Sequence, residues 1–315
     1  MRPPFFIVGF QRSGTTLLRL MLDAHSRIAV PLDTTGLWLH YFSRLAEYGD
    51  LRDDEALAQL VSDLLNEHRI RLWGLAATPG EITSRMSART WPQVMSAFYQ
   101  AYAAERGKAF WGDKDPGNMK RIHVVNQWFP HAHFVHIVRD GRDACLSHQK
   151  QAFGHNLILP CAAAWREEVW WVRALGAVLG PSRYFELRYE DLIAHPANEL
   201  RKLCAFLDIA YEDAMLRYYE TVDASIPDEK RHIWPLIDRP PKADNAELWK
   251  QRMPHALRVC FEKRAGPVLA ELGYETLRAP ASGAYAEELR QSIHMIRQVL
   301  RNRVSRQGAR TLSQT

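Results

Sequence analysis

The sequence predicts an α/β fold in which a mostly parallel sheet is covered by helices in a three-layer arrangement. Short apolar runs, rich in β-branched and aromatic residues, are bounded by glycine, proline or charged residues, as buried strands are. Helical patterns lie between these runs, and strands that alternate with helices are typical of parallel sheets. The predicted strands are residues 5–9, 28–31, 110–112, 133–139 and 184–189.

The helical patterns have apolar residues on one face, at intervals of three and four residues. They cover residues 15–25, 118–128, 162–179 and 198–207. Residues 35–108 form a mostly helical insert, either an acceptor-binding cap or a structural cover for the sheet. Residues 223–247 are rich in proline, aspartate and lysine, and we interpret them as a lid, because loops beyond about 15 residues are uncommon unless they are lids or disordered.

Composition indicates a globular protein. Of 315 residues, 47% are hydrophobic and 24% charged, which excludes a disordered or fibrous chain. The four cysteines are scattered without a C-x-x-C pair, which predicts reduced thiols and no structural zinc site. The sequence has no apolar run of about 18 residues and no signal-peptide pattern at its start, so we expect a cytoplasmic location. Residues 1–280 are predicted to form one domain.

The net charge of +5 is concentrated in the tail. Residues 281–315 hold six arginines and two glutamates, so the body of the chain is nearly neutral. A nucleic-acid-binding body would need a basic face on the folded part and is not supported. Residues 284–304 form a predicted basic amphipathic helix. It packs on its own domain, on a second copy in a homodimer, or on a membrane surface.

The loop after the first predicted strand has the pattern of a phosphate-binding loop. Gly9 and Gly14 have the spacing of a P-loop, and a predicted helix begins directly afterwards. Thr15 stands where the lysine of a triphosphate-binding loop would be, and the nearest cation is Arg12. This P-loop-like segment therefore favours an anionic group smaller than a triphosphate. An ordinary strand–helix turn is the alternative.

A second strand–turn–helix segment also suits an anion. Arg139 ends its predicted strand, at the edge where ligands sit in open α/β sheets. Ser147 follows two helical turns later, so its hydroxyl and the guanidinium converge on one phosphate in this interpretation. The alternative is a surface arginine–aspartate pair at a helix start.

Together, these two loops resemble those of the sulfotransferase family, whose members use 3′-phosphoadenosine 5′-phosphosulfate (PAPS). The segments 12–17 and 138–142, with Ser147, are similar to the two nucleotide motifs of the family. Four further segments resemble sequences of the tyrosylprotein branch and its bacterial relatives. They are residues 23–25, 114–116, 188–192 and 272–274.

The resemblance implies a role for each matching residue. The 5′-phosphosulfate would be held by Arg12, Ser13, Gly14, Thr15 and Thr16. The 3′-phosphate would be held by Arg139 and Ser147, with Tyr189 beside it. Lys114 would reach the sulfuryl and bridging oxygens. Two residues of the lid region, Lys242 and Ser225, would close over the phosphates.

Asp33 stands where the tyrosylprotein branch carries a glutamate base. Aspartate is one methylene shorter, so the acceptor oxygen must come closer or a water must intervene. The alternatives are that Asp33 caps a helix and that His123 is the base. Thr35 replaces the arginine that suits an acidic peptide in that branch, which weighs against acidic tyrosine motifs as acceptor.

The resemblance thus implies an O-sulfotransferase that acts by in-line displacement without a metal, yielding adenosine 3′,5′-bisphosphate (PAP). Its catalytic residues would be Asp33, Lys114 and Arg12. We expect a saccharide, glycolipid or small-metabolite acceptor rather than a peptide tyrosine. The competing functions are a P-loop kinase or NTPase and an inactive PAP-binding protein.

Overall fold

A five-stranded parallel sheet forms the centre of the molecule. The computed structural model describes residues 2–32, 34, 36–149, 157–222, 226, 233–277, 293 and 297. The strands are β1 (Phe5–Val8), β2 (Ile28–Ala29), β3 (Phe110–Lys114), β4 (His133–Val138) and β5 (Tyr184–Arg188). They lie in the order β2-β3-β1-β4-β5, and every neighbouring pair is parallel. The predicted α/β class and all five predicted strands are confirmed.

Helices connect the strands and cover the sheet. In chain order they are α1 (Thr15–Asp23), α2 (Leu37–Ser43), α3 (Asp54–Asn66), α4 (His68–Arg71), α5 (Pro79–Thr83), α6 (Trp91–Glu105), α7 (Ile122–Trp128), α8 (Gly141–His148), α9 (Ile158–Leu179), α10 (Tyr189–Ala194), α11 (Pro196–Phe206), α12 (Trp249–Arg252) and α13 (His255–Glu271). Short 3₁₀ helices span Leu45–Glu47, Pro116–Arg121, Asp213–Thr221 and Ala243–Asn245.

The position of β1 follows from its composition. All four of its residues are apolar and fully buried, as expected of a strand that is covered on both faces. Its register places Ile7 beside Lys114 of β3 and Val8 beside His136 of β4. The carboxyl ends of these three central strands therefore meet at one edge, where the candidate site lies.

The insert between β2 and β3 is helical and covers that side of the sheet. Its helices α2 to α6 enclose an aromatic cluster, in which Trp38 Nε1 donates to the Tyr99 hydroxyl at 2.9 Å. Tyr99 in turn donates to Asp113 Oδ1 at 2.6 Å. Because Asp113 precedes Lys114 in β3, the insert is hydrogen-bonded to the strand that carries this lysine.

Several predicted segments fall outside the described residues. These are most of the tail, including nearly all of the predicted helix 284–304, and residues 223–225 and 227–232 of the predicted lid. The domain boundary at 280 and the role of the tail stay predictions. No helix in the described part of the chain is long and apolar enough to cross a membrane.

The expectation of reduced thiols is wrong for one pair of cysteines. Cys145 of α8 and Cys161 of α9 form a disulfide, with Cα atoms 5.8 Å apart. Both are fully buried, where α8 packs against α9. No sequence pattern marks this pair, because the proximity of the two cysteines depends on how the two helices pack rather than on a short cysteine spacing.

Reduction of this disulfide should destabilise the fold. The bond closes a loop with a sequence separation of 16, and a loop of that length contributes about 3 kcal/mol through the unfolded state. We expect the free energy of unfolding in urea to fall by about this amount when reductant is added, and in the C145A/C161A double variant. The variant Cys260→Ala, which removes a free cysteine, is the control. Equal free energies of unfolding with and without reductant would show that Cys145 and Cys161 do not form a disulfide in the protein.

Candidate active site

One large cavity opens at the carboxyl edge of the sheet. Its volume is about 1520 Å³, and residues that follow all five strands line it. The lining includes Leu32 after β2, Lys114 at the end of β3, Arg12 after β1, Arg139 after β4 and Tyr189 after β5. In open α/β sheets this is the position of the ligand site. The fold therefore brings Arg12, Lys114, Arg139 and Tyr189, which lie at or after the ends of four strands, into one cavity.

The loop between β1 and α1 has the backbone of an anion-binding turn. Arg12 and Gly14 both have positive φ, 70° and 93°, and Ser13 N donates to Phe10 O at 3.0 Å. A Cβ on Gly14 would lie 2.4 Å from the Tyr189 ring, so only glycine lets this ring pack on the loop. The helix α1 starts at Thr15, which directs its first N–H groups toward the cavity.

The second loop is joined directly to the first. Arg139 Nη1 donates to Arg12 O at 3.1 Å, and Arg12 Nε donates to Ser147 Oγ at 3.1 Å. Arg139 pairs with Asp143 at the start of α8, with Nη2 3.9 Å from Oδ2, but both side chains are buried, so this is not the surface pair of the alternative interpretation. In the described structure the Arg12 side chain thus extends toward Ser147, on the β4 side of the loop.

Arg139 is fixed by two further contacts that the sequence did not reveal. Its Nη2 donates to Asn245 O at 2.8 Å, and its guanidinium lies over the Tyr189 ring, 4.4 Å from the centroid. Asn245 Nδ2 donates to the Tyr189 hydroxyl at 2.7 Å. The segment around Asn245 therefore holds both Arg139 and Tyr189 in place, although no motif marks it.

The electrostatics of these loops fit an anionic ligand. Burial, together with the positive charge of Arg139, lowers the pKa of the Arg12 guanidinium. Within the described residues, Ser13 Oγ and Arg139 Nε are buried without a hydrogen-bond partner. Buried polar groups are normally paired. Phosphate oxygens in the cavity would pair with these groups, beside the Asp143 carboxylate that already lies 3.9 Å from Arg139 Nη2.

Lys114 is the buried cation on the other side of the first loop. It ends β3, is 1% exposed, and its Nζ donates to Thr16 Oγ1 at 3.4 Å. The next residue, Asp115, accepts from the backbone N–H groups of Gly36 at 2.5 Å and Gly117 at 2.8 Å. Lys114 therefore stands between the phosphate loop and the turn after β2.

The remaining predicted residues divide into three groups. Lys242 lines the cavity, as do Trp234 and Arg252, which sequence reasoning missed because no pattern marks them. Asp33 and Ser225 lie outside the described residues. His123 is not among the described residues that line the cavity, and it packs edge-on against Trp171 at 5.9 Å. The sequence showed that His123 is helical but not that its face of α7 points away from the cavity.

Comparison with known proteins identifies the family. The model of the sulfotransferase family matches residues 3–213, more than half of the chain, so the protein belongs to this family. It is 26% identical over 300 residues to the protein-tyrosine sulfotransferase of Drosophila melanogaster, covering 88% of this chain and 53% of that protein. It is 28% identical over 245 residues to the omega-hydroxy-beta-dihydromenaquinone-9 sulfotransferase of Mycobacterium bovis, covering 66% of this chain and 63% of that protein. The chain therefore spans between half and two thirds of these two relatives.

A solved structure shows the same fold. The sulfotransferase domain of the olefin synthase from Synechococcus PCC 7002 superposes with a TM-score of 0.60 at 23% identity, over 87% of this chain and 97% of that one. The protein is a sulfotransferase, and its co-substrate is PAPS, the sulfuryl donor of the family. The two joined cationic loops fit the two phosphate-bearing ends of this nucleotide. No group of three or more metal-ligating side chains occurs in the described part of the chain.

Removal of the Arg139 side chain should weaken nucleotide binding. A charge-assisted hydrogen bond contributes about 1.5–3 kcal/mol, so Arg139→Ala should raise the Kd of PAP at least about tenfold in isothermal titration. Arg264→Ala, which removes an exposed arginine on α13 outside the cavity, should leave the Kd unchanged. An unchanged Kd in Arg139→Ala would refute the phosphate-binding role.

The positive φ of residue 12 should make the protein less stable with any side chain there than with glycine. A side chain at positive φ costs about 1 kcal/mol, so Arg12→Ala should unfold about 1 kcal/mol more easily than Arg12→Gly. Both variants lack the guanidinium and should lose PAP affinity to the same extent. Urea unfolding and calorimetry of the pair test this. Equal stability of the two variants would show that residue 12 does not hold this backbone conformation.

Proposed function

We propose that the protein transfers the sulfuryl group of PAPS to an acceptor hydroxyl by in-line displacement. The observation that carries this proposal is the placement of Lys114 beside the loop joined to Arg139. A nucleotide that extends from Arg139 along this loop would present its 5′ end to Lys114. The reacting sulfur would then face the acceptor side of the cavity.

The proposed step needs a general base and a cation. The acceptor oxygen forms a bond to sulfur, the bond from sulfur to the bridging oxygen of PAPS breaks, and PAP leaves. Lys114 offsets the negative charge that develops on the leaving oxygen. Arg12 is proposed to assist at the phosphosulfate, although its described contact is with Ser147.

Asp33 is the proposed base that takes the acceptor proton. Two observations on its neighbours support it. Leu32 and Gly36 both line the cavity, and Gly36 N donates to the carboxylate of Asp115, the residue after Lys114. The described residues Leu32 and Gly36, on either side of position 33 in the sequence, thus both lie at the cavity that Lys114 lines. His123 lacks this support.

The acceptor is expected to carry its hydroxyl on a saccharide, a glycolipid or a small metabolite. The named activities of the relatives differ, since one is a protein-tyrosine sulfotransferase and another an omega-hydroxy-beta-dihydromenaquinone-9 sulfotransferase. A cytoplasmic location, and a dimer or membrane contact through residues 284–304, also remain proposals. A kinase or NTPase activity is disfavoured by Thr15 at the position of the phosphate-loop lysine.

Two substitutions test the proposed chemistry. Lys114→Met should lower kcat by about 10²–10³-fold, as removal of one electrostatic donor does, and Asp33→Asn should lower it by about 10²–10⁴-fold. The assay is sulfuryl transfer from PAPS to an acceptor pool, with mass spectrometry of the product. Lys263→Met, at an exposed position on α13, is the matched control. In Asp33→Asn, PAP binding should stay intact.

The alternatives give different results. Stabilisation by ATP with Mg²⁺ but not by PAP would indicate the kinase or NTPase. Binding of PAP without any transfer would indicate an inactive nucleotide-binding protein. Full turnover in Asp33→Asn would exclude this residue as the base and leave the transferase activity standing.

A further inference from the structure

We propose that Trp249 is a positioning residue for nucleotide binding, which acts from outside the cavity by holding the segment 245–249 in place. The inference rests on the proposed function, because it takes the nucleotide of the proposed reaction to bind at Arg139. Trp249 is 2% exposed and is not among the described residues that line the cavity, although its neighbours Leu248 and Asn245 are. An effect of Trp249 on nucleotide binding would therefore pass through other side chains.

The first end of this segment holds two side chains of the cavity. Asn245 O accepts from Arg139 Nη2 at 2.8 Å, and Asn245 Nδ2 donates to the Tyr189 hydroxyl at 2.7 Å. Arg139 and Tyr189 also contact each other, with the guanidinium 4.4 Å from the ring centroid. A displacement of Asn245 would therefore release both side chains at once.

The other end of the segment is fixed by two cations that lie over the Trp249 ring. The guanidinium carbon of Arg142 is 3.6 Å from the ring centroid, and that of Arg258 is 4.3 Å from it. Both arginines donate to Glu262 Oε1, Arg142 at 2.8 Å and Arg258 at 2.9 Å. A cation is attracted to the face of an indole, and more strongly where both are removed from water. Since Arg142 and Trp249 are buried, these contacts tie the segment to α8 and α13.

The backbone of Trp249 is held by the helix that follows Arg139. Trp249 N donates to Asp143 Oδ1 at 2.7 Å, where α12 begins. Asp143 lies on α8, four residues after Arg139, and its Oδ2 is 3.9 Å from Arg139 Nη2. A closed ring of contacts therefore runs from Arg139 through the segment 245–249 and Asp143 back to Arg139.

The chain is strained between the two ends of the segment. Glu247 has a φ of 55°, in the left-handed region that side chains disfavour. Such a conformation persists only where the surrounding structure holds it. Because the contacts of Trp249 supply one of the two fixed ends, their loss would let the backbone relax and move Asn245 away from Arg139.

The aromatic face of Trp249, rather than its N–H group, makes the contacts with the cations. Trp249 Nε1 is buried and has no hydrogen-bond partner among the described residues. Phenylalanine keeps an aromatic face for the two guanidinium groups, whereas leucine keeps only an apolar side chain. A positioning role therefore predicts that nucleotide binding tolerates Trp249→Phe and does not tolerate Trp249→Leu.

The test measures the Kd of PAP by isothermal titration and the free energy of unfolding in urea for the same variants. Trp249→Leu should raise the Kd at least about fivefold, since a displaced Arg139 loses part of its charge-assisted hydrogen bonds to phosphate. In Trp249→Phe the Kd should stay within about twofold of the wild-type value, because the cations keep an aromatic face.

A double-mutant cycle tests whether Trp249 acts through Arg139. In the background of Arg139→Ala, the further substitution Trp249→Leu should change the Kd of PAP by no more than about twofold, because the side chain that it positions is already absent. The same fold-change in both backgrounds would overturn the inference, since Trp249 would then affect binding independently of Arg139.

Trp91→Leu is the matched control, since Trp91 resembles Trp249 in burial but lies elsewhere. It is 3% exposed, and its Nε1 also has no partner among the described residues. It belongs to α6 in the insert and is not among the described residues that line the cavity. Trp91→Leu should lower the free energy of unfolding and leave the Kd of PAP unchanged. A rise of the Kd equal to that in Trp249→Leu would indicate a general loss of packing and overturn the inference.

The remaining outcomes are also decisive. An unchanged Kd in folded Trp249→Leu would overturn the inference and leave the proposed function standing. If Trp249→Leu does not fold, Arg258→Gln removes one of the two cations from the indole and should raise the Kd of PAP at least about twofold. An unchanged Kd in that variant would again overturn the inference. Failure of the wild-type protein to bind PAP would instead contradict the proposed function, and the inference with it.

Discussion

The hydrogen bond from Arg139 to the carbonyl of Arg12 joins the two loops on which the site depends. It forms because β1 and β4 are neighbouring parallel strands whose ends lie side by side. Burial lowers the pKa of Arg12, and the Arg139 guanidinium that this contact brings close lowers it further. The folded protein therefore holds two guanidinium groups close together at the cavity, and an anionic nucleotide would relieve their repulsion. Such preorganisation reduces the cost of ordering the site when the ligand binds.

The carboxyl edge of the sheet brings residues together on both sides of Lys114. Arg139 and Tyr189 follow β4 and β5, whereas Leu32 follows β2 and Arg69 and Leu72 belong to the insert. Lys114 is anchored through β3 and the neighbouring turn. In the proposed reaction the sulfur would lie beside Lys114, between the nucleotide and the acceptor hydroxyl. Exclusion of water there strengthens the interaction of Lys114 with the leaving oxygen.

The central sheet and the two phosphate loops could be predicted from sequence, because both depend on local patterns. Buried strands such as β1 are continuous apolar runs, and the loop from Gly9 to Gly14 has a recognisable spacing. The sequence could not show the contacts made by residues distant along the chain. Asn245 reaches Arg139 across 106 positions, and the Cys145–Cys161 disulfide depends on how two helices pack. His123 illustrates the same limit, since helical periodicity does not say which side of a helix faces the ligand.

A crystal structure of the protein with PAP would show directly where the nucleotide binds. We expect the 3′-phosphate to contact the Arg139 guanidinium and Ser147, and the 5′-phosphate to lie at the start of α1 beside Lys114. Electron density for the nucleotide at another place would refute this binding mode. So would an Arg139 side chain that points away from both phosphates.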